Sequence, residues 1–521
     1  MCMWIRPYAS IAVPVQVVCR QAHGGLMTSS MIIGSETEYG LTVQNDPEFD
    51  SIATALLLVN SYNADQSLKL LWDYDQEDPL VDARGFELED EYDIPDQQDN
   101  MAINKVLPNG ARFYVDHAHP EFSTPECSNV LDLLRYEKAG EHILNLSRIG
   151  ANQLLPAGRS VIIYKNNSDQ KGNSYGYHEN YLMDRRTPFQ TIVEQFTPFL
   201  ISRQVFCGAG KVGSENGTDY VPYQISQRSD FFETEIGLDT MVKRPIINTR
   251  DEPHADRERY RRLHVIIGDA NMSEYTTYLK VGTTMLMLHM IEDGFLTEDL
   301  ELRNPVRALQ AVSRDPTCKL PVQLKNGKQL TAVEMQWCFH EAAQRYVATH
   351  PDCNPTYPDI LVEWGLVLER LAADPMQLYR EIDWVMKLHL LTNYMDRRTS
   401  DWDDPRIAMM DLQYHDVRPD KGLYHVLERS GAARRMLTDE DIMRSMEEPP
   451  EDTRAYFRGQ CLKKFKNQIF GVNWDSISFN LGEGPIKRIL MEEPTRGTKQ
   501  HVEQLLERSE TAADLVANIT T

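Results

Sequence analysis

The pentapeptide Arg112-Phe113-Tyr114-Val115-Asp116 restricts this chain more than any other stretch. Read with a period of two, Phe113 and Val115 share one face, and Arg112, Tyr114 and Asp116 share the other. The apolar pair suits a core, which leaves a cation, a phenol and a carboxylate pointing the same way. A second strand repeats the device. Glu36 and Glu38 flank Thr37 at the end of the apolar run Met31-Ile32-Ile33-Gly34. Two carboxylates about 7 Å apart along one strand face repel each other. One reading is a solvent-exposed strand end. The other is a divalent cation such as Mg2+, a hard ion that takes oxygen ligands and keeps positions for water and phosphate.

The residues around these strands extend the pattern. His117, His119, Glu121 and Glu126 follow the pentapeptide, with Pro120 and Pro125 stiffening the chain. Lys165–Leu182 joins two strands through an Asn/Gly-rich loop, after which His178 and Asn180 share a face. His178 reads either as a metal or phosphate contact or as a core histidine bonded to backbone. Asn248–His254 and Arg261-Arg262-Leu263-His264 set basic groups beside acidic ones. That suits a triphosphate plus an acidic substrate; a surface ion-pair network is the alternative. The residues alone describe a Mg2+–nucleotide enzyme on a curved antiparallel sheet, with Asp116 as its reactive carboxylate.

Composition removes other classes. Lys plus Arg number 54 against 78 Asp plus Glu, a formal charge of −24, which opposes a nucleic-acid partner. No apolar run approaches the ~20 residues of a membrane helix. The 8 cysteines form no CxxC pair, so neither a zinc ribbon nor a thioredoxin-type site is expected, and a reduced, cytoplasmic setting is. Gly208–Gly213 matches GxGxxG, but a helical segment precedes it and a turn follows, the wrong context for a dinucleotide fold. Gly172–Gly176 matches GxSxG without the helix that a nucleophile elbow needs. No Walker A pattern is present.

The first 30 residues differ from the rest. Pro14 interrupts their apolar run and no clear cleavage site follows, so a disordered extension or a start placed too early is expected rather than a signal peptide. Between Leu71 and Asn100 there are 12 acidic residues and a single basic one, Arg84. Such a block is expected to form a mobile, solvated loop, or a lid beside a site. Helices are expected over Leu131–Leu146 with Asn129 as cap, Phe189–Phe206, Ser273–Glu292 and His501–Ala517. Residues 31–435 are expected to form the main domain, with the acidic loop inside 41–100, and residues 436–521 a small C-terminal one.

Five longer motifs carry a resemblance: GSETEYG at 34–40, NGARFYVDHAHPEFSTPEC at 109–127, KNNSDQKGNSYGYHENYL at 165–182, NTRDEPHAD at 248–256 and RRLHVIIGDANMSE at 261–274. Together they closely resemble the Pup ligase/depupylase family, a branch of the glutamine-synthetase-like carboxylate–amine ligases. The resemblance runs from about Met31 to the C-terminus. It implies an α+β fold, with a curved antiparallel sheet packed by helices and a small C-terminal domain. It also implies ATP or ADP with Mg2+ as cofactors. Glu36, Tyr114 and Glu121 match metal ligands, and Glu38, His178 and His264 are expected to complete the metal–phosphate shell. Arg112 and Thr124 match nucleotide contacts, Trp474 an aromatic lining the nucleotide, and Asp116 the catalytic aspartate.

Within that family, one branch joins the C-terminal glutamate of Pup, a small disordered protein tag, to substrate lysines. The other cleaves this isopeptide bond and deamidates Pup ending in Gln. The insertion bounded by Trp72-Asp73-Tyr74 and Asp82–Phe86, and the form Tyr114–Glu121, resemble the cleaving branch. A depupylase is therefore expected, with a Pup ligase and an inactive Pup-binding regulator as alternatives. Its partners would be Pup and pupylated proteins, with a link to the bacterial proteasome and its ATPase. Because Pup is acidic in this family, a basic groove is expected, supplied partly by Arg203, Arg228, Lys243 and Arg244.

Overall fold

The computed structural model describes residues 31–62, 70–74, 77–88, 95–240, 243–482 and 484–520. The expectation for the first 30 residues, and part of that for the acidic block, lie outside this range. The centre is a six-stranded sheet. Its strands run in the order Tyr260–Val265, Tyr177–Asp184, Ile33–Glu38, His119–Ser123, Arg112–Asp116 and Asn104–Val106, every neighbour antiparallel. The period of two is visible along Ile33–Glu38: Ile33, Ser35 and Thr37 are buried, while Gly34, Glu36 and Glu38 lie on a partly open face (Gly34 and both glutamates half-buried).

Helices cover the buried face. Asn129 caps Val130–Leu154, its side chain accepting from the Asp132 amide at 2.9 Å. Ser273 caps Glu274–Glu292, accepting from the Thr276 amide at 3.2 Å. The second helix is buried on nearly every side, as a helix in the middle of a large core must be. Ile33, Leu133, Leu134, Tyr181 and Leu279 belong to one continuous apolar cluster that joins sheet and helices.

A smaller sheet lies in the C-terminal part: Lys487–Leu490, Ser476–Phe479 and Ile469–Val472, continued by Leu71–Trp72 in parallel. This last strand corrects the reading of residues 71–100 as a solvated loop. Trp72 is buried and pairs with Val472, and Asp82 is buried, accepting from Arg84 and from the Thr249 hydroxyl at 2.6 Å. One large apolar side chain and one paired carboxylate anchor a segment whose composition is otherwise that of a loop.

Three expected helices also differ in extent, and the one expected over Leu131–Leu146 runs on to Leu154. The expected Phe189–Phe206 helix is Phe189–Ser202 plus Gln204–Cys207, separated at Arg203. The expected His501–Ala517 helix is Lys499–Arg508 plus Ala512–Thr520, because Thr511 accepts from the Asp514 amide and starts a new helix. Neither rejected motif has a catalytic context: Lys211–Val212 is a short strand, and Ser174 precedes the strand Tyr177–Asp184.

Glu292, at the end of the buried helix, accepts from the Asp184 amide at 2.6 Å. Burial pushes its carboxyl up to about 7. A raised carboxyl keeps its proton in the folded state, so stability falls as pH rises from the ordinary glutamate range through 7. Glu292→Gln keeps an acceptor for Asp184 and cannot ionise. It should gain about 1–2 kcal/mol over the parent at pH 8 and nothing at pH 4, measured by urea unfolding at the two pH values.

Candidate active site

Strand register builds the site. One row across the sheet reads Asn104, Tyr114, Glu121, Glu38, each opposite the next. The neighbouring row reads Arg112, Ser123, Glu36, His178. Asn180 stands opposite His264 and Leu182 opposite Arg262. Pairing thus gathers side chains from all six strands onto one face, although they lie far apart in sequence.

Two donor groups result. Oxygen or nitrogen atoms of Glu36, His178 and His264 lie within 4.8 Å of one another, as do carboxylate oxygens of Glu38, Asp116 and Glu121. In the first group, Glu36 lies 3.3 Å from His178 Nδ1, accepts from Asn180 at 2.8 Å and meets Arg262 at 3.4 Å. Burial opposes its charge, but the His178 hydrogen bond and the charges of His264 and Arg262 hold its carboxyl well below the usual range. Burial holds His264 well below the ordinary imidazole value, against the pull of Glu36, so its ring is neutral and able to donate a lone pair.

In the second group, burial and the charges of Asp116, Glu36 and Glu38 push Glu121 well above the ordinary glutamate value. The Tyr114 hydroxyl donates to Glu121. Burial, then Glu121, raises that phenol well above its normal value, so it is a neutral donor here. Glu38 is 3.4 Å from His119 Nδ1. Asp116 is the accessible member, its side chain 39% exposed and 3.1 Å from His117 Nδ1. A Cβ at Gly176 would come within 2.3 Å of His178 Nε2 and 2.7 Å of Glu38 Oε1, so any larger residue there would displace one of these two side chains.

A cavity of about 540 Å3 opens beside Glu36. Gly34, Thr124, Asn180, Arg262 and Trp474 are among its walls. Two of the three expected nucleotide residues, Thr124 and Trp474, therefore line one space with Glu36. Arg112 does not line it. Its guanidinium lies 3.9 Å from the Trp72 and Tyr114 ring centroids and donates to Asn104 at 3.0 Å.

The Pup-ligase protein family model matches residues 31–478. The chain belongs to the Pup-ligase protein family. It is 50% identical over 499 residues to the depupylase of Acidothermus cellulolyticus, covering 94% of this chain and 99% of that protein. It is 40% identical over 410 residues to the Pup–protein ligase of Mycobacteroides abscessus, covering 77% and 90%. Among solved structures, the complex of Pup with its ligase PafA matches at a TM-score of 0.78 and 34% identity, over 92% of this chain and 91% of that one. PafA in complex with ADP matches at 0.71 and 37%, over 81% and 96%. The α+β architecture is shared with these Pup ligases. No helix among the described residues is long and apolar enough to cross a membrane.

One part of the expected basic groove is corrected. Arg203 is 1% exposed and bonded to Glu179 at 2.6 Å, a buried pair within the core. Arg228 is buried too and donates to the Ile266 carbonyl, whereas Arg244 is half-buried and Lys243 exposed. Sequence reasoning gave no site role to Arg454 and Arg458, which grip Glu126 from the C-terminal part. No sequence signal links residues so far apart. Arg262 was within reach, because the period of two that places His264 on the open face places Arg262 there also.

Proposed function

We propose that this chain is a depupylase. It hydrolyses the isopeptide bond between the C-terminal glutamate of Pup and a substrate lysine, and converts a C-terminal glutamine of Pup to glutamate. The observation that carries this reading is the match over 94% of the chain and 99% of a depupylase at 50% identity, against 77% of the chain for a Pup–protein ligase at 40%. Pup and pupylated proteins are its partners, in the cytoplasm, with a link to the bacterial proteasome and its ATPase.

ATP or ADP with Mg2+ is the cofactor. The donor chemistry fits: carboxylate oxygens and imidazole nitrogens converge in two groups, and Glu38, Asp116 and Glu121 carry a mutual repulsion that a hard cation would relieve. Glu36, His178 and His264 would hold one side of the metal–phosphate shell, and Glu38 and Glu121 the other, with Tyr114 orienting Glu121. Thr124 and Trp474 would contact the nucleotide, and Arg112 would support its phosphate end by bracing Tyr114. A divalent cation held there with the nucleotide would supply the positive charge that polarises the scissile carbonyl.

Asp116 then acts in one of two ways. As a nucleophile it forms a C–O bond to the carbonyl carbon, the C–N bond breaks as the lysine nitrogen takes a proton from water, and water then hydrolyses the resulting anhydride. As a general base it takes a proton from the water that attacks instead, and passes it to the lysine nitrogen as the C–N bond breaks. The exposed position of Asp116 suits either role. The test mixes the purified chain, Mg2+ and ATP with a Pup-conjugated protein, and in parallel with free Pup ending in Glu plus an unmodified target. Released Pup in the first tube is the expected result. Conjugate in the second, with ADP formed, would make the chain a ligase.

A further inference from the structure

A second cavity, of about 790 Å3, adjoins the first. His254 lines both. The two have opposite character. Ile32, Leu182, Pro253, Pro494 and Trp474 give the first a largely apolar wall. Asp78, Asp256, Glu258, Asp475 and Glu492 make the second acidic. Trp474 and Asp475 are consecutive, so one turn of chain contributes an aromatic ring to the first space and a carboxylate to the second.

Asp475 is the unusual member. It is 8% exposed, its Oδ1 has no hydrogen-bond donor, and it forms no ion pair among the described residues. The other acids have ordinary outlets: Asp78 pairs with Arg257, for example. A buried carboxylate oxygen without a donor is costly, and its position on the cavity wall means that a ligand can supply the donor. His254 Nδ1, on the same boundary, is also buried without a partner.

A neutral donor such as a hydroxyl would satisfy this oxygen better than a cation. The described clusters of three or more metal-type ligands within 4.8 Å are the two on the central sheet, and Asp475 is in neither. Resting on the nucleotide site proposed above, we infer that Asp475 accepts a hydrogen bond from a ribose hydroxyl and makes the chain selective for ribonucleotides. A base set along the apolar wall by Trp474, with its phosphates toward Glu36 and Arg262, would bring the sugar to the boundary where His254 and Asp475 stand. A hydroxyl bonded to an ionised carboxylate is a charge-assisted contact. A site built for it discriminates strongly against an analogue that lacks it.

The experiment is calorimetric titration of the full chain, with Mg2+, by ADP, 2′-deoxy-ADP and 3′-deoxy-ADP. The parent should bind ADP at least about tenfold more tightly than one of the deoxy forms. Asp475→Asn and Asp475→Ala, each checked for an unchanged melting temperature, should bind all three within about threefold of one another. Equal binding of the three by the parent would overturn the inference while leaving the nucleotide site intact. So would a preference that survives in both variants, or the loss of one bound Mg2+ per chain in Asp475→Asn. No ADP binding by the parent would remove the nucleotide site itself, and the inference with it.

Discussion

Asp116→Ala should lower the rate of Pup release from a conjugate by at least about a thousandfold, while ADP affinity stays within about threefold of the parent. The separation follows from where Asp116 stands. It ends the strand Arg112–Asp116 opposite His119, at the edge of the carboxylate group. It is the accessible member of that group, whereas Glu121 is 2% exposed and tied to Tyr114. The nucleotide contacts proposed for Thr124 and Trp474 lie in a cavity that Asp116 does not line. Asp116→Ala therefore removes a reactive group without opening the cavity. Asp116→Asn keeps shape and removes charge; it should be as inactive under either the nucleophile or the base mechanism. A variant that loses ADP binding along with cleavage would mean that Asp116 holds the metal and not the chemistry. Single-turnover cleavage and titration calorimetry on the same preparations decide between the two.

The carboxylate face was legible because a β-strand obeys a strict period. Once Phe113 and Val115 are assigned to the core, Tyr114 and Asp116 have one direction left, and the same argument fixes Glu36 and Glu38. Helix caps were equally local: Asn129 and Ser273 each reach an amide three residues on. What stayed hidden was set by pairing between distant segments. Leu71–Trp72 is two residues long inside an acidic block, and it becomes a strand only because Gly471 and Val472 offer an open edge. Arg203 reads as a groove cation until Glu179, on a strand whose alternate residues point to the core, is found opposite it. A single sequence carries the period of each strand but not its neighbour. The individual candidate residues could therefore be named while their division into two groups could not.

Lys165→Met should be the most destabilising of the conservative changes near the site, at about 3–5 kcal/mol. Lys165 is fully buried beneath the central sheet and bonds Glu137 at 2.6 Å and Glu141 at 2.8 Å. Glu141 also meets Lys138 at 2.9 Å, and Glu137 accepts from the Tyr177 hydroxyl at 2.8 Å. Ser35, on the strand that carries Glu36, reaches Glu137 at 3.4 Å. Removing the lysine leaves two carboxylates with one ammonium in a dry interior, so the cost is mostly that of an uncompensated charge. Glu141→Gln added to Lys165→Met should accordingly recover part of the loss, although it deletes a further hydrogen-bonding charge. Burial opposes the Glu141 charge, yet Lys138 and Lys165 hold its carboxyl down to about 2. A depressed carboxyl contributes stability above its unfolded value, and that contribution is lost as pH falls toward 2. The parent should therefore lose stability steeply between about pH 4.5 and 2, and Glu141→Gln should flatten that limb. Urea midpoints across this range measure both effects. A Lys165→Met midpoint equal to the parent's would show that the network is dispensable, and that apolar packing alone holds the strand of Glu36 in register.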